Sequence, residues 1–578
     1  MSAAPKPCSA DRTNIAIALS LVIAALLVAW PFAEGGCFDD FSYIHMAKTL
    51  AETGRFAYNG WPTAMLGIQV WWGAAWIWLF GFSFTLVRLS VWPLALGSVV
   101  LVYLMARRAS LSPSDSLFAA LLTGLNPRFI VLAPTFMTDV SSLFFLMGSL
   151  YGFVRAVEAA RQVSAPPRRV FGWLAVGMLC GMLGGTIRQT VWFAPLAGAA
   201  VLFLWPGVGH RIRLAALLCG VMGLTCIVVG IRWFNSQPYA IPTHSLSHMA
   251  LGLTELGTMA RTMAWVLVGS MSAMAPVFVL RCAALRQLRR ERLAWLGNSL
   301  AADVVIVAAL ALVVFPATIV GAMEGAWLPA DAKPAIDRCV LLLRGMRIVL
   351  MLLLALAAMA IVLLRRRAIV SAVRRMPAAI LVPLVYLVPY SAAVMQASHT
   401  TGGLFDRYYL PCVPVLACAL LFAVGTTATS ASERQSSVWG WVLLAIVAAP
   451  EVMKLHDMFA DCRARLAAVA HLESNGVARD RVMVGWQIDG WEQIERVGHM
   501  NDPRIRVPPD AYTPFQPDGY PEQLFLRPRL KALTPEYIVT DKPDQFPGDG
   551  TRFPSFPYTS WRPPFHREIV ICHQKATK

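Results

Sequence analysis

The sequence predicts a polytopic α-helical membrane protein with about 13 transmembrane helices and a small C-terminal α/β domain. Three observations lead to this fold class. The chain of 578 residues is 57% hydrophobic and 14% charged, whereas soluble domains carry about 25% charged residues. Apolar runs of roughly 20 residues, long enough to cross a bilayer, recur along it. The part after residue 453 is instead polar and rich in proline.

The predicted transmembrane helices follow the apolar runs in chain order. The first run lacks a small-residue cleavage site, so we interpret it as a retained anchor and not as a signal peptide. The chain then divides into a membrane domain, residues 1–453, and a C-terminal domain, residues 454–578. The predicted spans lie near residues 14–33, 88–107, 115–134, 138–158, 170–187, 190–207, 211–231, 261–281, 299–320, 345–364, 377–395, 409–428 and 437–453.

The distribution of charge predicts the orientation. The net charge is +17, and the excess lies before residue 454, with 33 Lys and Arg against 17 Asp and Glu. The Trp-rich segment Thr63–Gly81 decides the topology, because counting it as a span reverses every later loop. If the segment is not counted as a span, the basic loops all fall on one side of the membrane, as the positive-inside rule expects. We therefore predict an interfacial or re-entrant Thr63–Gly81, a cytoplasmic N-terminus, and extracytoplasmic Asp39, Asp40 and C-terminal domain.

The C-terminal domain carries short alternating segments typical of strands and one helical stretch. The strand-like pieces are "DRVMVGW", "EYIVTD" and "REIVIC", and the helical stretch is "FADCRARLAAVAHLESNG". A disulfide such as Cys462 to Cys572 is one pairing that the spacing allows. We interpret "GWQIDGW" as a structural turn.

Charged residues collect near the predicted outer ends of the helices. Any one of them is explained by a solvated helix end, but together they could line one pocket. "TFMTDVSSLFF" places Asp139 at a helix end, and "GGTIRQTVWFAP" places Arg188 in a tight turn between two helices. The outward acids are Asp39, Asp40, Asp139, Glu255 and Asp406, and the cations are Lys48, Arg128, Arg188, Arg261 and Arg407.

The chemistry of such a pocket follows from what the chain lacks. It has no Gly-rich phosphate loop, and its cytoplasmic loops are too short for a nucleotide-binding domain. A group-transfer enzyme facing outward needs an activated donor delivered in the membrane on a lipid phosphate. An arginine can hold that phosphate through a charge-assisted pair, and a carboxylate can take the proton of an acceptor hydroxyl.

The order of several motifs resembles a known family over about residues 10–430. The sequence has "DDFSYIHMAKTLAETGRF", the Trp-rich segment, "NPRFIVLAPTFMTDVSSLFFLMGSLY", "RQT" and "DRYYLPCVP". Together they resemble the GT-C type membrane glycosyltransferases of family 39, which use polyprenyl-phosphate sugars. These include the protein mannosyltransferases and the lipid A aminoarabinose transferase. The resemblance implies a GT-C-like fold with interfacial helices in the first outer loop.

The resemblance also implies roles for single residues. The acidic pair of the family maps onto Asp39, the expected general base, and Asp40, and its second acid maps onto Asp139. The chain departs from the pattern at Ser42, where the aminoarabinose-type enzymes have a basic residue, and in "NGWPTAM", which lacks their Lys. We therefore assign the donor phosphate to Arg188, Arg407 and Arg261, with Lys48 next. The expected substrate-lining residues are Tyr43, Gln189, His244, His248, Glu255, Asp406 and Tyr408.

The predicted function is the transfer of a sugar from a polyprenyl phosphate to a hydroxyl of an extracytoplasmic acceptor in the bacterial inner membrane. His244 and His248, four residues apart, have the spacing of helical metal ligands, but substrate lining is the preferred interpretation. We expect no obligate metal cofactor, although the sequence leaves a divalent ion open. No nucleic-acid partner is expected. The alternatives are a transporter or flippase of a lipid-linked substrate and a non-catalytic envelope assembly protein.

Overall fold

The computed structural model describes residues 9–162, 166–242, 273–280, 376–401, 405–425, 432–505, 508, 512, 529–543 and 553–573. The chain forms two compact units. The larger unit comprises residues 11–101, 124–245 and 447–578, and the smaller unit comprises residues 1–10, 102–123 and 246–446. All the strands within the described ranges belong to the larger unit.

Helices dominate both units. In the first half of the chain they are α1 (Ser9–Ala29), α2 (Asp40–Thr53), α3 (Gly67–Phe80), α4 (Phe84–Leu89), α5 (Trp92–Arg108), α6 (Pro113–Gly124), α7 (Pro127–Leu132), α8 (Thr138–Ala160), α9 (Pro167–Ile187), α10 (Phe193–Leu204) and α11 (His210–Asn235). Further along they are α12 (Ala275–Leu280), α13 (Ala378–Thr401), α14 (Cys412–Gly425), α15 (Ser432–Ser474) and α16 (Trp486–Val497). Short 3-10 helices cover Gln189–Trp192, Asp406–Tyr409 and Arg479–Arg481.

Among the described residues, six helices are long and apolar enough to cross a membrane. They are Ser9–Ala29, Phe84–Arg108, Thr138–Ala160, Pro167–Ile187, His210–Asn235 and Val438–Ser474. The count of 13 spans is therefore not confirmed, and spans 299–320 and 345–364, with most of 261–281, lie outside the described residues. The predicted span 115–134 is wrong as a single helix, because the chain breaks between α6 and α7, where Asn126 begins the second helix as its N-cap.

The Trp-rich segment forms α3, which has 14 residues. Such a helix is about 21 Å long, shorter than the hydrocarbon core of a bilayer, which is about 30 Å thick. Trp71, Trp72 and Trp78 are exposed, and the indole nitrogens of Trp72 and Trp78 donate to backbone carbonyls. These features favour the interfacial prediction over a spanning helix.

The helices that carry the predicted site pack closely at small residues. A Cβ on Gly152 in α8 would lie 2.5 Å from the backbone nitrogen of Gly177 in α9. Only glycine therefore allows these two backbones to approach so closely, as is common between membrane helices. Asp139 lies in the first turn of α8, and Arg188 directly follows the last residue of α9.

The C-terminal segment contains a four-stranded sheet of β1 (Val482–Met483), β2 (Tyr537–Thr540), β3 (Phe556–Thr559) and β4 (His566–His573). Its strand order is β1-β2-β4-β3, with β1 and β2 parallel and the other pairs antiparallel. The three predicted strand segments and the predicted helical stretch are confirmed. Since α15 continues through residue 453, the predicted domain boundary falls inside one helix, and the division at that residue stays a prediction.

In this segment the structure contradicts one local prediction and argues against one pairing that the sequence left open. The "GWQIDGW" stretch is not a turn but opens α16, and the Asp489 carboxylate in the helix accepts from the N–H groups of Val484 and Gly485, which precede it. Cys462 lies on α15, which packs against the sheet face bearing Ile571, while Cys572 points to the opposite face. A bond between Cys462 and Cys572 would have to pass through the sheet.

Candidate active site

Asp39 occupies the N-cap position of α2, where the loop after α1 turns into the helix. Its Oδ1 atom accepts a hydrogen bond of 2.9 Å from the indole Nε1 of Trp61. The side chain is partly exposed, in contrast to that of the adjacent Asp40. A carboxylate that is oriented by a neighbour and reachable from solvent is suited to take a proton as a general base.

Asp40 is fully buried and forms an ion pair with Arg88. The guanidinium donates from Nε to Oδ2 at 2.8 Å and from Nη2 to Oδ1 at 3.2 Å. The backbone N–H of Cys37 adds a bond of 2.6 Å to Oδ1, and that of Phe136 adds one of 3.3 Å to Oδ2. This arrangement favours a role for Asp40 in holding the loop over a role in proton transfer.

Sequence reasoning missed Arg88. It lies in α4 and also donates to the carbonyls of Ala33, at 2.9 Å, and of Gly35. Its position at the start of an apolar run was the available signal, because a charge there is costly unless it is paired. Arg88 thereby ties the loop that precedes Asp39 to α4.

Asp139 and Arg188 lie together in the larger unit. Asp139 is in the first turn of α8, where the helix dipole favours a negative charge. Arg188 follows the last residue of α9, and its Nη1 lies 3.0 Å from Asp139 Oδ1. Its Nε donates to Thr138 Oγ1 at 2.9 Å. The structure therefore pairs a predicted acid with a predicted phosphate ligand.

One short segment connects the two acidic positions. Phe136 lies three residues before Asp139. Its N–H donates to Asp40, and its carbonyl accepts a 2.7 Å hydrogen bond from Gln69 Nε2. Gln69 Oε1 and Gln189 Nε2 are buried without a hydrogen-bond partner among the described residues. Buried polar atoms of this kind are usually satisfied by water or a ligand. Gln69 is a second polar residue that the sequence did not single out.

Lys48 contacts the C-terminal segment. Its Nζ lies 2.5 Å from Glu495 Oε1 on α16 and 5.4 Å from the ring centroids of Phe82 and Trp491. Burial lowers the pKa of the nearby His45 to about 4 despite the opposing effect of Glu495. His45 is therefore neutral at pH 7, and Lys48 is the charged partner of this carboxylate. The geometry favours a structural role for Lys48 over the phosphate-binding role expected from the sequence.

We expect Lys48→Met to lower the melting temperature slightly and to leave the dependence on donor concentration unchanged. The reason is that a partly exposed ion pair contributes only about 1 kcal/mol or less. A double-mutant cycle with Glu495→Gln, followed by thermal unfolding in detergent, measures the coupling. A raised donor requirement in Lys48→Met, absent from Glu495→Gln, would instead support phosphate binding by Lys48.

The remaining predicted residues are distributed differently. Tyr43 is buried on α2. Arg407 and Tyr408 belong to the smaller unit, where the Arg407 guanidinium lies 4.7 Å from the Phe405 ring and the Tyr390 hydroxyl donates to the Tyr408 carbonyl. Four predicted residues lie outside the described part of the chain, namely His244, His248, Glu255 and Arg261. The side chain of Asp406 lies outside it as well.

Metal-ligating side chains do not cluster in the described part of the chain. Among those residues there is no group of three or more His, Cys, Asp or Glu that could hold a metal ion. Both histidines proposed from the sequence lie elsewhere. Metal dependence thus stays a prediction.

Comparison with known proteins gives matches among solved structures. No protein-family model matches the chain, and no curated protein matches it. The Saccharomyces cerevisiae protein O-mannosyltransferase Pmt1-Pmt2 complex, bound to its sugar donor, matches with 14% identity and a TM-score of 0.33 over 40% of this chain. The match spans only 34% of that chain, about a third of its length.

Two longer matches cover nearly the whole chain. The Archaeoglobus fulgidus oligosaccharyltransferase, in complex with Zn and sulfate, has 13% identity and a TM-score of 0.45, covering 92% of this chain and 68% of its own. ArnT from Cupriavidus metallidurans, in the apo state, has 14% identity and a TM-score of 0.39, covering 97% and 98%. At such low identities and scores, function has to be argued from the residues of this chain.

Proposed function

We propose that the protein is an integral membrane glycosyltransferase that moves a sugar from a polyprenyl phosphate to a hydroxyl of an extracytoplasmic glycan, lipid or protein. The observation that carries this proposal is the contrast within the acidic pair. Asp40 is sealed against Arg88, while Asp39 is partly exposed and oriented by Trp61. The paired Asp139 and Arg188 belong to the same unit.

In the proposed reaction, Asp39 accepts the proton of the acceptor hydroxyl as its oxygen attacks the anomeric carbon. A new carbon–oxygen bond forms, and the bond from that carbon to the phosphate oxygen breaks. The polyprenyl phosphate departs with the bonding electron pair. A single displacement of this kind inverts the anomeric configuration and needs no enzyme nucleophile.

Arg188 is our candidate for holding the donor phosphate. Its guanidinium is oriented by Asp139 and Thr138, and a planar guanidinium can bind phosphate oxygens through parallel hydrogen bonds. Asp139 would then position Arg188 and set the local charge. Arg407 and Arg261 remain further candidates for the same role.

The location is part of the proposal. The N-terminus would be cytoplasmic and the site and C-terminal segment extracytoplasmic, in the inner membrane of a bacterium. The partners would be the lipid-linked donor, its acceptor and membrane lipids, with no obligate metal. In this proposal the C-terminal segment supports the site, and the packing of Trp486 against Phe41 on α2 is consistent with that role.

The test is an assay of the purified protein in liposomes with a panel of synthetic short-chain polyprenyl-phosphate sugars. A transferase releases polyprenyl phosphate and forms a glycosylated acceptor. A flippase moves the intact lipid-linked sugar across the bilayer without releasing the phosphate, and an assembly protein does neither. Mass spectrometry of a co-purifying lipid would select the sugars for the panel.

Within this assay, we expect Arg188→Ala to raise the apparent donor KM by roughly 10- to 100-fold, the value of one hydrogen bond to a charged group. Arg188→Lys should raise the donor KM less, because lysine keeps the positive charge but lacks the two parallel N–H donors of the guanidinium. Donor titration measures both variants. Arg55→Ala, which removes an exposed arginine after α2, is the matched control. An unchanged donor KM in both Arg188 variants would move the phosphate site to Arg407 or Arg261.

A further inference from the structure

Two cysteine side chains meet beside the candidate base. Cys37 lies in the loop between α1 and α2, two residues before Asp39, and Cys462 lies on α15. Both are buried, and their side chains lie close enough to interact with each other. The loop backbone also passes close by, since a Cβ on Gly35 would lie 3.3 Å from Cys462 Sγ.

Among the described cysteines, Cys37 is the one that lies beside Cys462. Cys572, the partner that sequence spacing suggested, lies on the sheet face turned away from α15. The other described cysteines occupy different helices, namely Cys180, Cys219, Cys226, Cys412 and Cys418. The contact between α15 and the loop after α1 therefore selects Cys37.

We propose that Cys37 and Cys462 form a disulfide bond in the mature protein, which joins the loop carrying Asp39 to the helix leading into the C-terminal segment. The proposal rests on the extracytoplasmic orientation given under the proposed function, because disulfides form and persist in such compartments. It does not depend on the reaction that the protein catalyses.

The bond would form by thiol–disulfide exchange with the disulfide of an extracytoplasmic thiol oxidase. One cysteine thiolate attacks that disulfide and forms a mixed disulfide, releasing one oxidase thiol. The second cysteine then attacks the mixed disulfide and releases the other. The two cysteines lose two electrons and two protons, which the oxidase takes up as its reduced dithiol.

The position of the bond indicates what it would do. The N–H of Cys37 donates to Asp40, whose carboxylate Arg88 also holds. A covalent tie at Cys37 would therefore hold the same loop that the buried ion pair holds. Since the two cysteines are far apart in the chain, the bond also removes conformational freedom from the unfolded state.

The direct test is mass spectrometry of the full-length protein purified in detergent without reductant. Free thiols are blocked with N-ethylmaleimide under denaturing conditions at lysis, and the protein is then digested. We expect a peptide pair joining Cys37 to Cys462 that separates on reduction, with Cys572 alkylated before reduction as the internal control. Alkylation of both Cys37 and Cys462 without reduction, or a bond from either to another cysteine, would overturn the proposal.

A second measurement uses stability. A reductant should lower the melting temperature of the wild-type protein and leave that of Cys37→Ser/Cys462→Ser unchanged, whereas a reductant-insensitive wild type counts against the bond. The two proposals fail separately. A protein that transfers sugar with both thiols free refutes the disulfide alone, and one with the disulfide but no transfer refutes the function alone.

Discussion

Asp39→Asn is expected to lower the transfer rate by ~100- to 10,000-fold, the usual effect of removing a general base. The amide cannot take a proton from the acceptor hydroxyl. Its carbonyl oxygen can still accept the hydrogen bond from Trp61 Nε1, so the loop and α2 should keep their structure. The measurement is the initial rate of polyprenyl phosphate release, with thermal unfolding in detergent run in parallel.

The matched control for this variant is Glu52→Gln, which neutralises an exposed carboxylate on the same helix. It should leave both the rate and the melting temperature nearly unchanged. Near-normal turnover in Asp39→Asn would remove Asp39 from the mechanism. A rate loss accompanied by a large fall in melting temperature would instead mean that Asp39 matters for folding.

Asp40→Asn and Arg88→Met should each destabilise the protein strongly. Removing one partner of a buried ion pair costs about 3–5 kcal/mol, because the other charge remains buried without compensation. The pair is fully enclosed, and four donors reach the Asp40 carboxylate from Arg88, Cys37 and Phe136. We expect low yield and a reduced melting temperature for both single variants.

The double variant Asp40→Asn/Arg88→Met separates structure from chemistry. It leaves no uncompensated charge, so it should recover part of the stability that each single change loses. Thermal unfolding of all four proteins provides the cycle. If Asp40→Asn kept the wild-type melting temperature but lost transfer, Asp40 would act in the reaction and not in holding the loop.

Sequence alone was sufficient for the features that depend on local pattern. The lengths of apolar runs predicted most of the described membrane helices, and alternation predicted the strands β1, β2 and β4. The acidic pair at the start of α2, and the turn that carries Arg188 between α9 and α10, also follow from local sequence. Local pattern failed at span 115–134, where its apolar composition concealed the break before Asn126.

By itself the sequence determined a helical membrane protein with adjacent acids after its first helix, because run length and residue order are local properties. Only the tertiary structure decided how those acids differ. Asp39 and Asp40 are the same residue type in the sequence. In the structure Asp40 is buried and paired with Arg88, whereas Asp39 stays partly exposed beside Trp61. Burial and pairing depend on residues distant in the chain. For the same reason, the sequence does not identify the partners of Lys48 and Cys37. They follow from the packing of α16 and α15 against α2 and the loop before it.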